Sequence, residues 1–223
     1  MSNPESFIDE VTEEVRRDQL FAYFKKYGWI AAVLVVGLVG GAAWTEYQRA
    51  TSAAAAQAKG DAIYAALSAN ESADRVAALA DLPSGVATAF LLAAEQQNAG
   101  DAAASAETLR ALANDAEVAP IYRDIAGFKA VLAEVGTTAP ADRITALEPL
   151  ARPGAPLSLL AQEQIALARI EMGEVDAALA DLRAIREDAG ATRGLRDRAG
   201  GLIVALGGEL ELASPAEVAG TDQ

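Results

Sequence analysis

Two side chains that dominate enzyme chemistry are missing: the sequence has no cysteine and no histidine. Their absence removes thiol nucleophiles, disulfides, iron–sulfur clusters, zinc sites built on nitrogen and sulfur, and any triad or dyad that needs imidazole. Aromatic residues are scarce at 5%. Basic residues are few: 18 Lys and Arg stand against 32 Asp and Glu, a formal net charge of −14 over 223 residues. Such a chain lacks the basic surface that holds a phosphate backbone, so no nucleic-acid partner is expected. Alanine, by contrast, fills 54 positions. It has the highest helix propensity, and its small side chain permits close helix packing. The composition therefore predicts an all-α protein.

The longest uncharged run is YGWIAAVLVVGLVGGAAWT, residues 27–45. Nineteen helical residues cover about 28 Å, close to the thickness of a hydrocarbon core. Aromatics flank it, with Phe21, Tyr23, Phe24, Tyr27 and Trp29 on one side and Trp44 and Tyr47 on the other. That is the pattern of an interfacial belt. A buried core helix would need matching apolar elements that the rest of the chain does not supply. A cleavable signal peptide could use Gly41, Ala42 and Ala43, but 26 residues of mixed charge precede the run, which exceeds the usual apolar region of about 7–15. The prediction is a single transmembrane helix. Arg16, Arg17, Lys25 and Lys26 precede it closely, whereas only Arg49 and Lys59 follow. This asymmetry keeps the N-terminus in the cytoplasm and carries residues 46–223 across. In a bacterium the large domain would lie in the periplasm.

Residues 1–26 form a short cytoplasmic arm. Ser6 and Asp9 resemble a capping box, and Ile8, Val11 and Val15 share one helical face among five acids. The arm is either a solvated lead-in or a docking helix for a cytoplasmic protein. A helix meant to lie on anionic lipid would prefer lysine and arginine. Inside the span, Gly37 and Gly41 make a GxxxG step that Thr45 continues. Small residues at this spacing let two transmembrane helices approach closely. The step fits self-association or docking to a larger membrane protein, and it fits ordinary glycine usage in such helices equally well.

Residues 46–207 read as helix pairs. An Ala-rich helix over 46–69 carries Ile63, Tyr64 and Leu67 and stops at Asn70. Breakers then recur at Gly100, Gly136 and Gly173, at intervals of 30, 36 and 37 residues. Periods in the thirties point to a helical solenoid. Around Gly173, an apolar helix with Leu159, Leu160, Ile165, Leu167, Ile170 and Met172 precedes the turn. Val175, Ala178, Leu179, Leu182 and Ile185 follow it. Gly100 repeats the plan with Ser105, Leu109 and Leu112. Gly136 repeats it weakly, because Pro140 and Pro149 bracket a short second helix. The candidate helix-crossing residues are therefore Gly100, Ser105, Gly173 and Ala178. A terminal helix places Leu195, Ala199, Leu202, Ile203 and Leu206 on one face, as a solenoid cap requires, although Gly200, Gly201 and Gly207 weaken it. Residues 208–223 are small and acidic and are expected to form a disordered tail.

These segments resemble tetratricopeptide repeats in degenerate form. The turn glycine, the small residue five on and the apolar residues nine and twelve on all match at Gly173. Ala93 and Ala166 stand where the repeat usually has glycine, and Gln96 and Arg169 where it usually has an aromatic. The order of parts is an acidic FIDEVTEEVRRDQL helix, FKKYGW, one span, and a degenerate repeat domain ending in TRGLRDRA. This layout resembles the ancillary SecYEG translocon subunit family, the YfgM-like proteins, in an alphaproteobacterial style. The resemblance covers nearly the whole chain. It implies a type II inner-membrane protein whose periplasmic domain associates with the translocon and with periplasmic chaperones, helping exported proteins fold.

The residues carry no catalytic constellation. Acid pairs such as Glu13–Glu14 and Glu187–Asp188 lie on polar faces. There is no GxxxxGK[ST], no GxGxxG and no acidic calcium loop. Only Lys59 and Lys129 follow the span, and Lys129 suits snorkelling better than catalysis. No enzyme activity, cofactor or metal is expected. The reading is a tethered protein-binding module. A structural envelope scaffold that oligomerises through its span is the alternative.

Overall fold

The computed structural model describes residues 4–209, with side chains from residue 25 onward except that of Ala31. Every regular element among the described residues is an α-helix. The chain divides into two compact units, Met1–Ala62 and Ile63–Gln223.

The first unit is built on α1, Pro4–Leu67. The helix begins two residues ahead of the start predicted at Ser6, and the side chains of that arm lie outside the described residues. It then runs without interruption where the sequence reading places two helices, one over 27–45 and one over 46–69. The local chemistry explains the continuity. No proline interrupts the helix after Pro4. The hydroxyls that could have capped a new helix bond backwards instead: Thr45 Oγ1 donates to the Ala42 carbonyl at 2.8 Å, Thr51 Oγ1 to Tyr47 at 3.0 Å and Ser52 Oγ to Arg49 at 2.9 Å. Residues Lys25–Leu67 contain a stretch long and apolar enough to cross a membrane. Its large side chains are exposed all round, Val36 at 70% and Leu38 at 66%. Such a surface needs lipid or protein against it. At the ends of the run, Lys26 Nζ sits 5.5 Å from the Tyr27 ring centroid, and the Trp44 and Tyr47 rings lie 6.5 Å apart.

The second unit contains eight further helices among the described residues. They are α2 Ser72–Ala80, α3 Val86–Asn98, α4 Ala102–Asn114, α5 Pro120–Ala133, α6 Pro140–Leu147, α7 Ser158–Glu171, α8 Val175–Glu187 and α9 Arg193–Ala205. Each packs on its sequence neighbour from α2 to α9. Sequence reading had not assigned α2, whose buried residue is Leu79. The short α6 starts at Pro140, a residue suited to the first helical position because its missing N–H would be unpaired there.

Three small cores run along the unit. Ala93, Leu109, Leu112, Ala126 and Ala130 join α3, α4 and α5. Val131, Leu147, Ala161 and Ile165 join α5, α6 and α7. Ala166, Leu182, Ile185, Leu195, Ala199 and Ile203 join α7, α8 and α9. Alanine at the crossings is what lets these helices sit close with so few aromatics.

The first and third cores repeat one another in detail. α4 and α8 begin at Ala102 and Val175 and end at Asn114 and Glu187, in both cases 73 residues apart. The same shift maps Ala93 on Ala166, Ser105 on Ala178, Leu109 on Leu182, Leu112 on Ile185 and Ala126 on Ala199, all buried. It also maps a polar link: Thr108 Oγ1 donates to Gln96 Oε1 at 2.9 Å, and Arg169 pairs with Asp181. α4 and α8 are each capped by an aspartate whose Oδ1 accepts the N–H two residues on, Asp115 from Glu117 and Asp188 from Gly190.

Helices α3, α7 and α9 end alike. At Gly100 and Gly173 the glycine N–H bonds back to Gln97 and Ile170, and the next N–H reaches Gln96 and Arg169. This is a Schellman ending, and it demands the left-handed backbone seen there, φ 86° and 77°. Gly207 closes α9 by the same two bonds, to Val204 and from Gly208 to Ile203. It therefore terminates the last helix where sequence reading had it weaken that helix. At Gly208 a Cβ would lie 2.8 Å from Ile203 Cγ2 and 3.0 Å from Leu179 Cδ2, too close for a larger residue without a shift. The acidic tail expected over 208–223 lies, from residue 210 on, outside the described residues.

Ion pairs tie each hairpin to the next helix. Arg75 donates to Glu95 at 2.7 Å, and Arg110–Glu134 and Arg143–Glu171 join α4 to α5 and α6 to α7. Arg198 on α9 grips Glu163 on α7 through two bonds, 2.7 and 2.8 Å. The Glu163 hydrogen bonds, and then its charge, hold the Arg198 guanidinium above its ordinary pKa. Raising the pKa of a base stabilises the fold at every pH below its unfolded value, so deprotonation of Arg198 does not weaken the pair below that value.

Candidate functional site

α2 ends at Ala80, and Pro83 two residues past its cap prevents continuation. The chain turns through Leu82–Gly85 and enters α3, where the Ala89 N–H bonds to the Gly85 carbonyl at 2.8 Å. This turn splays α2 from α3. The wedge between them and α4 is a cavity of about 550 Å3, open to solvent. Volumes of roughly 300–1,000 Å3 are typical of ligand sites. Its walls are apolar, with Leu79, Leu82, Val86, Leu92, Leu112 and Val118, and its only charged lining residues are Glu107 and Asp115.

One polar atom in that wall stands out. Thr88 is 4% exposed, and its Oγ1 has no hydrogen-bond partner. A buried hydroxyl without a partner costs about 1–3 kcal/mol, so folding alone disfavours it. The internal repeat provides a control. The residue 73 positions on is Ala161, fully buried in the middle core. Likewise Glu107 maps on Ala180. The hydroxyl and this carboxylate are features of the first hairpin that the second lacks.

The crossing residues predicted from sequence fall in separate hairpins. Gly100 and Gly173 are the helix-ending glycines described above, and Ser105 and Ala178 are both fully buried on α4 and α8. Ser105 Oγ is without a partner, as is Arg143 Nε. None of these four lines the groove. Gly37 and Gly41 lie on α1 with nothing within 4 Å of an added Cβ, a face open along its length. The residues that sequence reading missed are Thr88 and Glu107. Comparing the two hairpins position by position would have exposed both. Among the described residues no three acidic side chains gather to hold a metal ion.

No protein-family model matches this chain, and no curated protein or solved structure matches it. The class that the fold defines is an all-helical protein with one helix fit to span a membrane.

Proposed function

We propose that the chain is a membrane-anchored helical-repeat module that binds proteins, an accessory factor of the SecYEG translocon that links export to periplasmic chaperones. The observation that carries this reading is the open apolar groove in a chain that also holds a membrane-length apolar helix. The repeat domain is a degenerate tetratricopeptide-like solenoid. What supports this is the recurrence of helix-ending glycines at 100, 136, 173 and 207, all with positive φ, together with packing of each helix on its neighbour. Solenoids of this kind use extended surfaces to hold peptides and proteins. The positive residues before the span support an orientation with the N-terminus in the cytoplasm and the repeat domain in the periplasm of the inner membrane.

The test is in-cell photocrosslinking from Ala111, an exposed groove residue, with Glu187 on the other hairpin as control. Adducts with translocon subunits or periplasmic chaperones from Ala111 alone support the reading. Adducts only between copies of the chain would overturn it in favour of the scaffold. One observation favours that second reading: the open Gly37–Gly41 face, which suits close packing of two spans. A phosphatase fused after Gln223 reports orientation, and it is expected to be active because it folds only after export.

A further inference from the structure

We infer that the groove between α2, α3 and α4 takes an extended apolar peptide segment carrying a lysine or arginine. This rests on the reading of the chain as a protein-binding module and names the chemistry of what is bound. Three independent features converge. The floor is aliphatic, so apolar side chains are needed to cover it. The wall carries a buried hydroxyl without a partner, Thr88 Oγ1. A hydroxyl both donates and accepts, which matches a peptide main chain and not a hydrocarbon tail. The rim is negative: Glu107 enters no ion pair among the described residues, Asp115 lines the cavity about two helical turns further along, and no lysine or arginine lines the cavity.

A ligand with only apolar groups would leave Thr88 without a partner and make no use of the Glu107 charge. A fatty acid or acidic peptide would bring negative charge against the carboxylates. A cationic apolar peptide uses all three features, and the net charge of −14 draws it in from a distance. The second hairpin marks the difference, since the corresponding positions are Ala161 and Ala180. Nothing there calls for a polar ligand.

The experiment uses the full chain in phosphatidylcholine nanodiscs, with empty nanodiscs as blank. The probe is a labelled short peptide of alternating leucine and lysine, read by fluorescence anisotropy. A second peptide has glutamate in place of lysine. The lysine peptide is expected to bind and the glutamate peptide to bind at least tenfold more weakly. Glu107→Gln should weaken the lysine peptide about threefold to tenfold, and Glu187→Gln, which removes the same charge from the other hairpin, should leave it unchanged. Thr88→Val should weaken binding while keeping or raising the melting temperature, because it removes an unpaired buried hydroxyl at constant shape. That opposition separates a ligand contact from a structural role.

Equal weakening by Glu107→Gln and Glu187→Gln would overturn the site in favour of diffuse attraction. Equal binding of the two peptides would also overturn it, as would a Thr88→Val protein that is less stable and binds normally. The reading it rests on is tested separately by the crosslinks from Ala111. Peptide binding without translocon or chaperone adducts would leave the groove standing and remove the translocon role. Adducts without peptide binding would do the reverse.

Discussion

Ser105 and Ala178 occupy the same place in two hairpins, and exchanging their chemistry measures what a buried hydroxyl costs this fold. Both residues are 0% exposed, and Ser105 Oγ has no partner. Ser105→Ala releases an unpaired polar atom, worth about 1–3 kcal/mol. It leaves an oxygen-sized void, on the order of 10 Å3, which at about 24 cal/mol per Å3 costs about 0.2 kcal/mol. Alanine's better helix propensity returns a few tenths. The net is a stabilisation of about 2 kcal/mol. For a chain of this size that raises Tm by about 4–8 °C. Ala178→Ser should lower Tm by a similar amount, because it places the same orphan atom in an equally closed site. The assay is circular dichroism at 222 nm on the full chain in neutral detergent. Tryptophan emission would not serve, since Trp29 and Trp44 both lie on α1. A Tm that falls in Ser105→Ala would mean that the hydroxyl is bonded and supports the helix. A silent Ala178→Ser would mean that the two sites are not equivalent.

Three further outcomes are expected. Gly173→Ala places a Cβ on a left-handed residue, φ 77°, and should cost about 1–2 kcal/mol in thermal unfolding. Arg198→Ala strips both donors from Glu163, whose side chain is only 7% exposed. Because the arginine itself is half exposed, water can replace it in part, so the loss should be about 1–2 kcal/mol by urea titration. Gly37→Ile with Gly41→Ile should weaken any contact made by the span in detergent, while Val35→Ile with Val39→Ile should not. Equal retention in both pairs would make the span a plain anchor.

The hairpins at Gly100 and Gly173 were legible in the sequence because their signals are local. A glycine in the left-handed region, a small residue five on and apolar residues at helical steps all lie within about fifteen positions. The apolar run was legible for the same reason. Two things were not. One is the unbroken α1, in which Thr45, Thr51 and Ser52 bond backwards into the helix instead of capping a new one. The sequence reading divides the helix at 45/46 because the uncharged run ends there, before Glu46. The groove was hidden because its lining is gathered from α2, α3 and α4. Thr88 is unremarkable in sequence, and only burial without a partner gives it meaning.

The stride of 73 residues has a consequence for how the chain could be cut. Excising residues 101–173 would splice Gly100 directly to Glu174, so that α3 meets α8 across an unchanged turn. Ala93 would take the place of Ala166 against Leu182, and α9 would close the shortened stack in the position that α5 held. Two electrostatic links would change: Arg198 would find Phe90 where Glu163 had been, and Asp181 would face Gln96 in place of Arg169. A protein with this property is a set of interchangeable cassettes, and its length can change by whole units while every joint keeps its register.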